Sequence, residues 1–297
     1  MRVALVTPWD NAWVPMYREA IQKRGHEFVH LKKAEAGHFD VVIHGWMTDA
    51  PMISGARNVM FLRRYELFTG VLNRVRWDSV EHLICVNRWI AEVVKSSLGR
   101  MKVKTPVSTI YNAVDTKKWT FKKRKKNNKV GMSCHVHPKK NLPLALQILA
   151  KLPEGYELHI AGEIQDPCTA EYLNHVGNAL RRRIYLYGHI DRRQLDVWWE
   201  AMGVCLSTSL SEGNPNNVIE AMAKGVKPVV HYWPGAEEQF PGNLFGTVDE
   251  AVQMILSDDY DSERYLKDVQ LRYSLSNIER AVDIALQQET ETAWHPV

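Results

Sequence analysis

Two glutamates, Glu212 and Glu220, are separated by seven residues in the stretch SLSEGNPNNVIEAMAKG, which runs from Ser209 to Gly225. Between them Gly213, Asn214, Pro215, Asn216 and Asn217 are turn formers. From Val218 the pattern turns helical, with Val218, Ala221 and Met222 on one side and Gly225 as the stop. A helix start presents backbone N–H groups and the positive end of the helix dipole, so it can receive a diphosphate. A carboxylate accepts hydrogen bonds from the paired hydroxyls of a sugar or a ribose. One carboxylate before the loop and one inside the helix can therefore reach different parts of one extended ligand of the sugar-nucleotide type.

The elements that must position these groups alternate. Strands are expected at residues 2–7, 27–31, 40–44, 58–62, 82–86 and 107–111, with helices at 14–24, 66–74 and 88–98. A second series follows, with strands at 129–134, 157–161, 184–187, 204–208 and 228–231. Its helices are at 143–151, 169–178, 192–201, 218–224 and 247–257, and a last helix spans about 274–288. Such βα alternation implies an α/β protein with two parallel, doubly wound sheets, whose ligands bind at the carboxyl ends of the strands. The expected domains are 1–115, a basic linker at 116–128, 129–272, and a closing helix in 273–297.

The segment SEGNPNNVIEAMAKGVKPVV resembles the E-x7-E signature of retaining glycosyltransferases of the GT-B fold, the sucrose-synthase and mannosyltransferase-like group 1 (family 4-like) enzymes. The likeness continues upstream through Tyr187-Gly188-His189-Ile190 and Gln194-Leu195-Asp196-Val197-Trp198, and downstream through Pro228-Val229-Val230 and Pro234-Gly235-Ala236-Glu237-Glu238. It spans roughly residues 107 to 290. Asn112-Ala113-Val114-Asp115 is similar to the N-G-V-D that ends the family's first domain. Cys134 to Asn141 is similar to the loop whose Arg and Lys clamp the donor diphosphate: Lys140 falls on the Lys, whereas His135 falls on the Arg. A histidine lacks the fixed charge and bidentate fork of arginine.

What the resemblance implies is two Rossmann-like domains facing each other across a cleft and transfer of a sugar from a nucleotide-diphosphate donor to a hydroxyl with retention. No cofactor or metal is required: Lys140 and the helix start supply positive charge to a UDP- or GDP-sugar. Donor contacts are expected from His135, Lys140, Ile190, Glu212, Gly213, Asn214, Asn216, Asn217, Val218 and Glu220. Glu212 positions the donor sugar, Glu220 holds the ribose, and Asp10 is the candidate for contacting the acceptor hydroxyl.

The amino-terminal domain departs from the family. Its usual glycine pair after strand one is replaced by Trp9-Asp10-Asn11-Ala12-Trp13, and Phe61-Leu62-Arg63-Arg64 stands where a histidine is often found. Trp9, Trp13 and Trp46 follow strand ends, where an aromatic face stacks on a sugar or a flipped base or simply packs the loop. Arg63 and Arg64 could hold an anionic acceptor.

Charge sharpens the question of the acceptor. Residues 1–116 carry 16 basic and 11 acidic side chains, 117–129 carry 8 and 0, and 130–297 carry 14 and 23. The basic run reads as a solvated linker or, with the first half, as a face for nucleic acid or a membrane-associated glycan. Acceptors from three classes stay open: a glycan, lipid-linked or small hydroxyl compound; a hydroxymethylated base in DNA, as in viral enzymes, which requires base flipping; or none, for a nucleotide-sugar-binding or epimerase-like relative. No run approaches the roughly 20 apolar residues that span a bilayer. Cys85, Cys134, Cys168 and Cys205 are scattered and read as reduced core residues, so a cytoplasmic monomer is expected. Asp259-Tyr260-Asp261 spells D-x-D but reads as a helix start, and His135 with His137 lacks the further ligands a metal needs.

Overall fold

The computed structural model describes residues 1–9, 11–35, 37–47 and 53–287. It contains two compact units, Met1–Ala113 joined by the carboxyl-terminal segment from Leu275, and Val114–Ser274.

The first unit is a six-stranded, wholly parallel sheet in the order β2-β1-β3-β4-β5-β6. Its strands are β1 (Arg2–Val6), β2 (Glu27–Leu31), β3 (Val41–His44), β4 (Arg57–Leu62), β5 (His82–Cys85) and β6 (Val107–Thr109). The central strands are buried throughout because helices cover both faces of a parallel sheet, which is why VALV, VVIH and NVMFL read as unbroken apolar runs. Helix α1 (Val14–Lys23) starts with a proline in its first turn and buries Val14, Tyr17 and Ile21. Asn87 caps α2 (Arg88–Arg100) by accepting from the Ile90 amide at 2.7 Å. The helix expected at 66–74 is instead two one-turn 3-10 segments, Tyr65–Phe68 and Val71–Asn73, because Gly70 between them adopts a left-handed φ of 69° that no α-helix tolerates. The unit is completed by α9 (Ser276–Leu286), whose Ile278, Ala281, Val282, Ala285 and Leu286 join the core formed by β1, β3 and β4. Arg24 fixes it through Asp283 at 2.7 Å. The remainder of the expected 274–288 helix, from residue 288, lies outside the described residues.

The second unit has strand order β12-β11-β10-β7-β8-β9, again all parallel. Its elements are β7 (Lys129–Ser133), α3 (Leu142–Lys151), β8 (Glu157–Ala161), α4 (Pro167–Ala179), β9 (Arg183–Leu186), α5 (Arg192–Ala201), β10 (Val204–Ser207), α6 (Asn216–Ala223), β11 (Lys227–His231), β12 (Leu244–Phe245), α7 (Val248–Leu256) and α8 (Ser262–Arg272). Asp261 caps α8 by accepting from the Arg264 amide at 3.0 Å, so the D-x-D stretch is a helix start. The strand order reverses between β7 and β10 in this sheet and between β1 and β3 in the first. Ligands of open α/β sheets bind at the carboxyl ends of strands at such reversals.

Residues 116–128, expected to be a solvated linker, are a strap bound to the second unit. Arg124 donates to the carbonyls of Trp199 (3.1 Å), Glu200 (2.8 Å) and Lys224 (2.8 Å) at the carboxyl ends of α5 and α6. Lys122 pairs with Glu200 at 2.6 Å, Lys123 with Glu263 at 3.2 Å and Lys126 with Asp258 at 2.8 Å. Lys224, fully buried, is held by Asp196 at 2.6 Å and Glu200 at 3.4 Å. The basic run and the acidic half of the sequence thus largely face each other within one unit. We expect Arg124→Met to lower the stability of the protein by about 3 kcal/mol, since charge-assisted bonds to buried carbonyls are lost together. Urea unfolding followed by tryptophan fluorescence measures this, and a loss below about 1 kcal/mol would show the strap to be ornamental.

Candidate functional site

At the β7/β10 reversal, β7 leads into the loop 134–141 and β10 into the loop 208–215. A 3-10 turn, Pro138–Lys140, capped by the side chain of His137, brings Lys140 inward. Its Nζ lies 2.5 Å from Oε1 of Glu212, with only 17% and 12% of the two side chains exposed. The loops are laced together: Thr208 Oγ1 donates to the Lys140 carbonyl at 2.7 Å, and the Leu210 amide to the Lys139 carbonyl at 3.1 Å. Burial alone would raise the Glu212 carboxyl, but the Lys140 ammonium, with help from Lys139 and a hydrogen bond from Ser209, holds it below the ordinary value. The thiol of Cys134 beside them is pushed up to about 11 by burial, so it is no nucleophile at neutral pH.

Glu220 lies on α6, nearly buried, with Arg192 of α5 at 3.8 Å as its cationic neighbour. Burial pushes its carboxyl up to about 7, against the pull of Arg192. Arg192 itself lies 4.8 Å above the ring of Trp119 in the strap. Helix α6 begins at Asn216, two residues earlier than expected, so Asn216 and Asn217 form its first turn. The Val218 side chain is fully buried, and its amide donates to the Pro215 carbonyl at 3.1 Å. Val218 therefore offers no free N–H to a diphosphate, and the helix start acts there through its dipole. Asn214 is corrected likewise: its side-chain amide donates to Gln239 Oε1 at 2.5 Å, while Gln239 donates to the carbonyls of Gly213 and Gly235 at 3.0 Å each. This buried brace fixes the loop shape, with Gly213 as part of it.

His135 is exposed, 3.7 Å from Glu163. Partial desolvation of its ring on the loop side, and the charges of Lys140, His189 and His137, lower its pKa against the opposing pull of Glu163. The shift favours a neutral ring that donates one hydrogen bond. Ile190, half-buried, follows His189 on the loop from β9 to α5. Gly162, after β8, explains how these loops come so close: a Cβ there would stand 2.0 Å from the Cys134 carbonyl oxygen. Among the described residues no group of three or more His, Cys, Asp and Glu could hold a metal ion.

In the first unit the β1/β3 reversal gathers the tryptophans. Trp9 is 58% exposed and stands edge-to-face with Trp46 at 5.6 Å and 83°. Trp13 packs on Tyr17 at 5.6 Å and is a loop-packing residue. Arg63, expected to meet an anionic acceptor, is instead enclosed by the rings of Trp13 (5.2 Å), Trp46 (4.9 Å) and Phe61 (5.7 Å). It donates to the Gly45 carbonyl at 3.0 Å and to Asn112 Oδ1 at 2.9 Å. A guanidinium so spent knits strand ends together and has little left for a ligand. Arg64 lies over Phe68 at 4.8 Å. Asp10 lies outside the described residues. Sequence reasoning passed over Ser209, Arg192 and Glu66; Arg192 alone left a signal, as a base opening the helix of the Gln194–Trp198 stretch.

Two parallel doubly wound sheets, each with an order reversal, make this a GT-B fold. The same fold occurs in Anabaena HepE in complex with UDP-glucose (TM-score 0.76, 13% identity, 97% of this chain and 100% of that one). It occurs also in the sucrose-phosphate synthase of Thermosynechococcus elongatus (0.72, 14%, 97% and 98%) and in a glycosyltransferase from Rickettsia africae (0.74, 13%, 98% and 99%). No curated protein matches the chain by sequence. Residues 127–258, which lie within the second unit, match the family model described as Glycosyl transferases group 1. No helix among the described residues is long and apolar enough to cross a membrane.

Proposed function

We propose that the chain is a metal-independent, retaining glycosyltransferase that moves a sugar from a UDP-sugar to a hydroxyl acceptor. The observation that carries this reading is the sequestered Lys140–Glu212 pair at the β7/β10 reversal beside the start of α6. The binding of UDP-glucose by HepE favours uridine as the base. In this reading the diphosphate lies against Lys140, His135 and the α6 dipole, which stabilise the charge that develops as it leaves. The departing phosphate takes the acceptor's proton while the sugar passes through an oxocarbenium-like state on the same face. Glu212, released from part of its pairing, holds donor-sugar hydroxyls. Glu220 accepts from the ribose hydroxyls, and Asp10 is kept as the contact to the acceptor hydroxyl.

A glycan, lipid-linked or small hydroxyl acceptor is favoured over a hydroxymethylated DNA base, because the strap cations and Arg63 are spent within their own units. A panel of UDP- and GDP-sugars with hydroxyl acceptors, read by NMR for the anomeric configuration of the first-formed product, tests the function. An inverted product would overturn the retaining assignment, and activity lost in EDTA and restored by manganese would overturn metal independence.

Glu220 gives a pH test. The ribose hydroxyls donate to the ionised carboxylate, so affinity for UDP-glucose, whose diphosphate does not titrate near neutrality, should weaken roughly tenfold from pH 8 to pH 6. In the unliganded protein the sign is opposite. A carboxyl raised to about 7 by burial contributes stability that is full below the ordinary carboxylate range and is lost as pH rises through about 7. Calorimetry on Glu220→Gln should give weaker binding with no slope over that range. A slope that survives the substitution would place the ribose elsewhere.

A further inference from the structure

Arg192 opens α5, where it breaks a local rule. The first turn of a helix favours acids, because its free N–H groups carry the positive end of the dipole, yet α5 begins with Arg192 and Arg193 and has no acid in that turn. Asp191 already caps the turn by accepting from the amides of Arg193 at 2.8 Å and Gln194 at 2.9 Å. The Arg192 guanidinium is directed elsewhere. It lies 4.8 Å over the ring of Trp119, a strap residue only 3% exposed, and one of its nitrogens stands 3.8 Å from Oε1 of Glu220 on α6. The face of an indole attracts a cation through the ring quadrupole, so the strap fixes where this charge sits.

The separation between Arg192 and Glu220 is informative. A guanidinium that donates to a carboxylate does so at roughly 2.7–2.9 Å; at 3.8 Å its charge is felt but no lone pair is taken. The Glu220 carboxyl accepts no hydrogen bond from the described residues, and Arg192 is the one charge among them that acts on it. Lys224, one turn along α6, is spent on Asp196 and Glu200. Helix α8 and strands β10 and β11, which pack on α6, bring no further charge to it. Glu220 is thus a mostly enclosed carboxyl with its acceptor positions open and a single cation to favour its charged form against burial.

We propose that Arg192, seated on Trp119, is the positioning residue of the Glu220 carboxylate: its charge stands close enough to favour an anion there and far enough to leave both oxygens open to the vicinal hydroxyls of a ribose. The inference deepens the donor reading and rests on it in calling the ligand a ribonucleotide. Both conditions matter. A closer guanidinium would form the bidentate pair that arginine favours and occupy the oxygens the diol needs. Without the guanidinium, burial would keep Glu220 protonated over more of the neutral range. A protonated carboxyl presents a donor where a hydroxyl pair requires acceptors. An arginine anchored on an indole meets both conditions.

The test uses the full chain and the variants Arg192→Met, Arg193→Met and Glu220→Gln. All should fold, since both arginines are exposed and Gln keeps the shape of Glu. Carbon-13 NMR of the glutamate carboxyls, with the Glu220 signal assigned by its loss in Glu220→Gln, follows the titration in the unliganded protein. Its midpoint, about 7 in the wild type, should rise by about one pH unit in Arg192→Met, roughly the effect of one cation at this distance in contact with solvent. Calorimetry with UDP-glucose should then show affinity lowered about fivefold at pH 7 and less than about twofold at pH 9, where the carboxyl is ionised in both proteins. Arg193→Met should change neither quantity, and Arg192→Met added to Glu220→Gln should cost nothing further. The inference is overturned by an unmoved midpoint, by an equal response in Arg193→Met, or by a loss that is the same at pH 7 and pH 9. A loss that persists in the Glu220→Gln background also overturns it, by putting Arg192 on the ligand itself. A wild-type pH dependence of binding that survives Glu220→Gln, or no binding of UDP-glucose at all, sinks the donor reading, and the carboxyl titration then decides by itself whether Arg192 controls the charge of Glu220.

Discussion

Lys140→Ala is expected to lower sugar transfer about 100- to 1,000-fold, the usual cost of removing one preorganised electrostatic contact to a leaving group. The effect has two parts that can be separated. Removing the ammonium deprives the diphosphate of its nearest fixed charge, and it strands Glu212, 12% exposed, without its partner. Stranding a buried charge destabilises by 3–5 kcal/mol in the fully buried case. Lys139 and Ser209 still support Glu212 here, so about 2 kcal/mol is expected. The pH dependence has a defined sign. A carboxyl held below its ordinary value contributes stability that is present above the ordinary carboxylate range and is lost as pH falls through its folded value. In the variant that loss should begin at higher pH. Adding Glu212→Gln should recover the thermal stability and leave transfer no better. Transfer within tenfold of wild type in Lys140→Ala would remove Lys140 from the chemistry.

Gly162→Ala should be the most damaging single methyl in the second unit. The added Cβ would lie 2.0 Å from the Cys134 carbonyl oxygen and 2.9 Å from the His135 amide nitrogen, both backbone atoms that cannot rotate away. Either β8 or the loop after β7 must shift, and overpacking of this kind costs about 3 kcal/mol or more. The shifted loop carries His135 and leads to Lys140, so donor affinity should fall as well. Urea unfolding and UDP-glucose titration measure the two losses; a variant unchanged in both would mean that the loops part without cost.

The βα rhythm was legible because apolar runs such as Val41–Ile43 are buried on both faces and leave no ambiguity of period. The glutamate-bearing loop was legible because turn formers ending in a helical pattern have a local cause. What escaped had distant causes. The acids that meet Lys122, Lys123 and Lys126 lie 78, 140 and 132 residues away, so the strap looked like a solvated charge run. Arg63 looked like a ligand for anions because its aromatic box is assembled from three separate strand ends. Helix α8 escaped because its charged surface obscured the apolar pair Tyr265 and Val269 that anchors it. Glu66, placed by the sequence only within an expected helix at 66–74, is the buried residue of the 3-10 turn Tyr65–Phe68.

The packing of α9 into the first unit sets an order of events during synthesis. Val282 and Ala285 are fully buried against strands that leave the ribosome more than two hundred residues earlier. The second unit, from Val114 to Ser274, has its whole core in hand before Ser276 is made. The half of the protein that is translated first is therefore completed last, and until then it exposes the apolar groove that α9 fills, an opening for aggregation or for a chaperone's grip.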